Sequence, residues 1–331
     1  MQLIDAIKLS TTIGTNAWIR RRPFLLYFKP TSRCDLRCGI CNRWKTPAEG
    51  EELPLDDIKA FLGKFRRAGS AVLTLWGGEP LLRRDLPDIL EEAGRLGFRT
   101  SMCTNCNQLA KKAGDVVPRL DVLLCSIDGY GEVHDEMRGV KGVFDRALAG
   151  IRAAVDTRAP CDIKIWASIH RKNLAQIERI ATLARELSVA IEFFPVSPIP
   201  GYNDDLVPTD AEMRDACRTI IDLKRRGLPV RNPDRVLEMM QTHDPFVCNF
   251  PRIAIHLDHG GRVYSCEDPE GTPLRLWGGQ AAFDPEAVYG SAEFRRVTAG
   301  LAACNRCRLP CVLELSNSLP RALAGMFLKL T

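Results

Sequence analysis

The chain has 331 residues, 45% hydrophobic and 26% charged, enough for one full domain and a smaller one. Its formal charge of +5 is spread along the chain rather than gathered into a basic stripe, which argues against a nucleic-acid partner. The unusual feature is thirteen cysteines, an odd number. Asp5 and Lys8 interrupt the only early apolar stretch, so no secretory signal is read, and no run of about 18 apolar residues offers a membrane span. Clustered cysteines without an export signal favour metal binding over disulfides and point to a reducing cytoplasm.

Residues 1–22 read as an amphipathic helix, with Ile4, Ile7 and Trp18 on one side and Arg20-Arg21-Arg22 closing it. Such a helix could cover the end of a barrel, or rest on an anionic membrane surface. The apolar run Phe24–Phe28 then leads into Cys34-Asp35-Leu36-Arg37-Cys38-Gly39-Ile40-Cys41, spaced C-x3-C-x2-C. A structural zinc site wants four ligands. Three thiolates on a cubane iron–sulfur cluster instead leave one iron open to a small molecule.

From Pro23 to about Phe194, β-rich runs alternate with amphipathic stretches. Strands are predicted at 23–29, 71–76, 98–103, 121–126, 161–169 and 189–194, and helices near 54–68, 85–96, 107–114, 143–156 and 173–187. Leu53-Pro54-Leu55-Asp56-Asp57 supplies a helix start, and Gly69 and Gly97 follow helix ends. Six βα units make an α/β fold, a partial (β/α)6 TIM-like barrel, with its chemistry where the strands' C-terminal ends open into loops.

The chemically suggestive residues fall in those loops. Gly77-Gly78-Glu79-Pro80 follows the second strand, and paired glycines let a ligand approach the backbone. Ser126-Ile127-Asp128-Gly129 ends the fourth, and Arg138 lies just beyond, its guanidinium fork suited to two oxygens at once. Taken singly, each has a plainer reading, as a turn or a surface ion pair. After Phe194, Pro195, Pro198, Pro200 and Gly201 form an irregular loop with Tyr202-Asn203-Asp204-Asp205, a solvated connection or a substrate contact, followed by helices near 208–226 and 233–241. Cys248, Cys266, Cys304, Cys307 and Cys311 occupy the last quarter, with Arg262–Ser265 reading as a hairpin strand after Gly260-Gly261. In the tail, Leu319, Leu323, Met326, Phe327 and Leu330 share a helical face flanked by Arg321 and Lys329.

The cysteine loop after the first strand, with Gly77-Gly78-Glu79-Pro80 one unit later, resembles the radical S-adenosylmethionine (SAM) enzymes, and the C-terminal cysteines resemble their SPASM or shortened Twitch auxiliary domain. The resemblance runs over about 23–311 and implies a barrel over 23–230 and an auxiliary-cluster domain over 231–315, between the amphipathic helix over 1–22 and the amphipathic tail over 316–331. It implies a [4Fe-4S] cluster on Cys34, Cys38 and Cys41 that chelates SAM. Gly77, Gly78, Glu79 and Pro80 would hold the SAM amino group, Ser126 would lie near its carboxylate or ribose, Asp128 would belong to the same cofactor site, Arg138 would pair the carboxylate, and Ile40 would pack on adenine. Five C-terminal cysteines, where the full SPASM pattern has seven, imply a second [4Fe-4S] cluster on Cys248, Cys266, Cys304 and Cys307, with Cys311 as substitute. This chain departs from the family in having Ile40 where an aromatic residue is frequent, and Thr104-Asn105-Cys106 where Thr-Asn-Gly is frequent.

Cys103 and Cys106 could form a redox pair, although buried inert thiols are favoured, as for Cys125, Cys161 and Cys217. The implied reaction is reductive cleavage of SAM to a 5′-deoxyadenosyl radical that removes a substrate hydrogen atom, the auxiliary cluster serving electron transfer or substrate binding. A low-potential donor such as flavodoxin or ferredoxin would feed it. A peptide or small molecule is the expected substrate, oxidised, cross-linked or joined through a new C–C or C–S bond. A strand beginning by residue 23 speaks against a separate leader-binding domain. The amphipathic termini keep open a membrane lipid or isoprenoid and peripheral contact with the inner membrane. The rival of another class is a non-catalytic zinc protein. No catalytic acid or base stands out, Glu267 and Asp268 beside Cys266 being no better than others.

Overall fold

A computed structural model describes residues 11–45, 51–242, 245–266, 273, 275–279, 283–304 and 308–317. Ile4, Ile7, Glu267, Asp268, Cys307 and the tail from 318 lie outside them, as does the side chain of Trp18.

Six parallel strands form the heart of the molecule: β1 (Leu25–Phe28), β2 (Val72–Leu75), β3 (Arg99–Thr104), β4 (Val122–Ser126), β5 (Asp162–Ile169) and β6 (Ala190–Pro195). All six lie within two residues of the predicted bounds. Helices α1 (Leu55–Arg67), α2 (Leu86–Arg95), α3 (Leu109–Val116), α4 (Glu132–Arg138), α5 (Val143–Asp156) and α6 (Ile177–Glu186) connect them, and α7 (Asp210–Arg225) and α8 (Asp234–Thr242) follow β6. The hydrophobic pattern dictates this layering. In α1 the buried residues Ile58, Phe61, Leu62 and Phe65 recur at helical spacing, and they meet the face of the sheet that carries Leu26, Phe28, Leu73 and Leu75. The opposite face alternates with it: Tyr27, Thr74 and Ser101 stand in one register row, partly exposed, and line the open trough of the sheet.

The sheet does not close. Its order is β6-β5-β4-β3-β2-β1-β7-β8-β9, where β7 (Ala254–Leu257) adds parallel to β1, and β8 (Arg262–Tyr264) and β9 (Leu276–Gly279) add antiparallel. The hairpin expected at Gly260-Gly261 is therefore the β7–β8 hairpin, and the cysteine-rich C-terminal part continues the barrel's own sheet. A row of rings fixes the join: Tyr27 stacks on His256 at 5.2 Å, and His256 on Tyr264 at 5.1 Å.

Two helices of the barrel differ from the sequence reading. Helix α4 was not expected; it is one short segment between Gly131 and Gly139, both at positive φ. The helix expected from 173 begins at Ile177, because Arg171–Gln176 winds as a 3-10 turn locked by His170 and Asn173. The N-terminal segment is helical over 11–20, ending at left-handed Arg21. There Ile13 is buried, and Asn16 donates to the Gly69 carbonyl at the N-terminal end of β2, 2.8 Å. Among the described residues no helix is long and apolar enough to cross a membrane.

Candidate active site

The three cysteines of the first loop pack against one small buried cluster, Leu36, Cys38 and Val143, with Ile40 and Val140 beside it. Their backbone is held from several sides. Arg37 N–H donates to the Arg138 carbonyl (3.1 Å) and Gly39 N–H to the Met137 carbonyl (2.8 Å), so the loop pairs with the end of α4. Gly139 permits this approach: at φ +69° its Cβ would meet the Arg37 carbonyl oxygen at 2.4 Å. The Tyr202 hydroxyl lies 3.1 Å from the Cys38 carbonyl and 3.2 Å from that of Cys41, and Trp44 Nε1 donates to the former at 3.3 Å. Tyr202, set as solvent or substrate contact by sequence, holds the cysteine loop from above.

The loop after β2 lies along the chain leading into the cysteines. Gly78 N–H donates to the Thr31 carbonyl and Glu79 N–H to the Arg33 carbonyl. A Cβ on Gly78 would stand 2.2 Å from the Arg33 oxygen. Pro80 opens a 3-10 turn, and Glu79 is buried at its head. Its Oε1 accepts from Thr104 Oγ1 (2.7 Å) and Leu81 N–H (3.0 Å), and its Oε2 accepts from Asn105 N–H (2.8 Å). Burial pushes this carboxyl up to about 7 in spite of those three donors.

Asn105 and Asn107, after β3, clamp the two carboxylate oxygens of Asp35 at 2.8 Å each, tying a third loop to the cysteines. Sequence reading passed over Asp35, Asn105 and Asn107; the polar run Thr104–Gln108 directly after a strand was the available signal. Cys106 within it has φ 63°, the left-handed conformation that explains why glycine suits this position. Cys106 is buried against Cys125, its thiol raised chiefly by burial, and Cys103 lies on the trough side, 3.7 Å from Ser126 Oγ and pushed up to about 11 by burial. None of the described cysteines is in a disulfide.

Asp128 and Arg138 are buried together, Oδ2 to Nη2 2.6 Å, and Arg138 Nη1 reaches Cys38 Sγ at 3.8 Å. Asp128 Oδ1 accepts from Ser168 N–H at 2.9 Å. Its peptide is gripped by two histidines: its N–H donates to His134 Nδ1 (3.1 Å), and its carbonyl lies 2.8 Å from His170 Nε2. Burial, helped by the Arg138 charge, drops His134 to about 3, so both rings serve as neutral struts. Burial is the largest single influence and acts against the Asp128 charge, but Arg138, His170, the Ser168 N–H and His134 together outweigh it and keep the carboxyl low. A cleft beside the cysteine loop is lined by Ile40, Cys41, Arg43, Ser168, Phe194 and Val196, which places Ile40 on its wall. Deeper in the trough Lys164 pairs with Glu192 at 2.8 Å, and Glu314 of the helix Pro310–Asn317 lies near both, raised by burial and by Glu192.

Among the described residues no three His, Cys, Asp or Glu stand close enough to share one metal ion. A cubane gives each thiolate its own iron and so spaces them more widely than one ion does. The donor chemistry of the loop fits such a cluster: three soft sulfurs, one of them already facing a guanidinium, the Cys34 thiol pushed up to about 12 by burial so that metal must displace its proton. At the other end Cys248 lies near enough to Cys304 to be raised by its charge as well as by burial, while Cys311 meets the Tyr27 hydroxyl on the trough wall. Cys266 packs against the main core. The structure thus brings Cys248 and Cys304 together and sets Cys311 against Tyr27.

The Radical SAM superfamily pattern matches residues 28–189. The AdoMet-dependent heme synthase of Methanosarcina barkeri is 33% identical over 197 residues, 57% of this chain and 56% of that protein. The PqqA peptide cyclase of Rhizobium meliloti is 26% identical, over 76% of this chain and 69% of its own length. This chain spans little more than half of the heme synthase. Streptococcus suis SuiB bound to S-adenosylmethionine shares the fold, with TM-score 0.70 at 17% identity over 84% of this chain and 68% of that one. Three cysteines at the mouth of an open parallel barrel lie inside the stretch, from the end of β1 to the start of β6, that the radical SAM superfamily pattern matches.

Proposed function

We propose that Cys34, Cys38 and Cys41 hold a [4Fe-4S] cluster at the barrel mouth and that SAM binds beside it, in the cleft of Ile40, Ser168 and Phe194. One observation carries the reading: the loops after β1, β2 and β3 and the end of α4 are all hydrogen-bonded into one cradle around the three cysteines. Bound there, the cluster would supply the electron that cleaves SAM to a 5′-deoxyadenosyl radical. The chain's own work is to orient and to exclude water. Glu79 keeps one lone pair of Oε2 for the SAM ammonium, Gly77 and Gly78 let their loop lie against Lys29 and Arg33 and so set Glu79 in place, Ser126 faces the SAM carboxylate or ribose, and Asp128 holds Arg138. Substrate would lie in the trough bounded by Tyr27, Thr74, Ser101 and Trp166.

The relatives' names suggest two substrate classes, a peptide and a small macrocycle, and the longer coverage of the peptide cyclase favours a peptide. We assign an auxiliary cluster to Cys248, Cys266, Cys304 and Cys307, in a domain beginning near 231, with electrons arriving from a flavodoxin- or ferredoxin-like donor. The test is anaerobic reconstitution with iron and sulfide, addition of dithionite and SAM, and assay of 5′-deoxyadenosine. Product that vanishes in Cys38→Ala is expected. A protein that takes up zinc but no iron, and makes no product, would sink the reading in favour of a structural metal protein.

A further inference from the structure

We infer that Arg138 and Asp128 act as an opposed pair that sets how readily the cysteine-bound cluster accepts an electron, Arg138 favouring the reduced form through Cys38 and Asp128 restraining it. This rests on the proposal that Cys34, Cys38 and Cys41 are cluster ligands. By position the pair belongs to the cluster as much as to SAM. Arg138 Nη2 is engaged by Asp128 at 2.6 Å and Nη1 by Cys38 Sγ at 3.8 Å, so a SAM carboxylate would compete for both terminal nitrogens, Nε alone being without a hydrogen-bond partner.

The geometry leaves little freedom. Arg138 sits where its own carbonyl accepts from Arg37 and its neighbour Met137 accepts from Gly39, and Gly139 at φ +69° touches the Arg37 carbonyl. Asp128 is fully buried, with Ser168 on one carboxylate oxygen and His134, His170 and Asn173 on its peptide. A cation that donates to a cluster thiolate stabilises the added electron, and burial keeps water from screening it. An acid on the far side of that cation cancels part of its field. Removing each partner should therefore move the potential in opposite directions, which general loosening of the fold would not do.

The experiment reconstitutes wild type, Arg138→Gln, Arg138→Lys and Asp128→Asn, checks iron content, and titrates the cluster's reduction by electron paramagnetic resonance without SAM. The relevant signal is the one lost in Cys38→Ala. Expected are a reduction equilibrium about tenfold less favourable in Arg138→Gln, equivalent to about 59 mV for one electron, a shift of opposite sign in Asp128→Asn, and near-wild-type behaviour in Arg138→Lys. Iron-replete variants with unmoved potentials would overturn the inference. Weakened SAM binding at unmoved potential would return Arg138 to the SAM carboxylate. A wild type that takes up no reducible cluster would remove the underlying reading and the inference with it.

Discussion

Single residues decide most of what this site can do. Glu79 is a buried acid raised to about 7, held by three donors with one lone pair left. A carboxyl shifted upward is charged only above its raised pKa, so an ammonium partner should be bound more weakly as pH falls through about 7. SAM affinity of the cluster-loaded protein, measured by equilibrium dialysis, is expected to fall across that window in wild type and to lie flat in Glu79→Gln. Cys106 carries a different load: a non-glycine residue at φ 63°. Substitution by glycine should leave the protein about 1 kcal/mol more stable than substitution by alanine, since both lose the sulfur but only glycine relieves the backbone. Denaturant midpoints of the two variants decide it. Tyr202→Phe removes the hydroxyl that bridges the Cys38 and Cys41 carbonyls, at a cost of about 1 kcal/mol. Its readout is faster loss of iron in air from the reconstituted protein.

Secondary-structure elements were legible to the degree that their pattern was local. Runs such as Val72–Leu75 and Val122–Ser126 are short, apolar and bounded by turn residues, and they came within a residue or two. The three cysteines and Gly77–Pro80 were legible because spacing and position after a strand are both one-dimensional facts. Helix α4 was not, since seven mostly polar residues between two glycines look like loop, and its buried His134, Met137 and Arg138 are explained only by what they touch. Strand β7 was missed for a related reason: its four residues follow a helical turn, and their reason to be extended is β1, at the other end of the chain. Loop-to-loop contacts such as Asn105 on Asp35 depend on how neighbouring units are placed, which no window of sequence contains. Where backbone is pressed on backbone the element tolerates nothing. Gly78→Ala must displace the Arg33 carbonyl, and SAM binding should fall more than tenfold while the far-UV spectrum of the sheet is kept.

At the scale of the whole molecule, the sheet runs without a break from β6 through β1 to β9. The cysteine-rich part therefore shares a hydrogen-bonded ladder with the barrel. A chain ended before Phe250 would bare the whole far edge of β1, an apolar parallel strand. Such a truncation is expected to aggregate on expression, and a monodisperse, folded product in size-exclusion chromatography would contradict the ladder's importance. The same ladder has a consequence in time. More than two hundred residues separate β1 from the strand that seals it, and a ribosome adding about 5–20 residues per second needs on the order of ten seconds or more to supply them. Through that interval the nascent chain carries Cys34, Cys38 and Cys41 just beyond the end of a strand with one side still bare. The loop proposed to hold the cluster is thus translated early, long before the strand that completes the sheet beside it, which would leave it open to iron delivery while the protein is still being made.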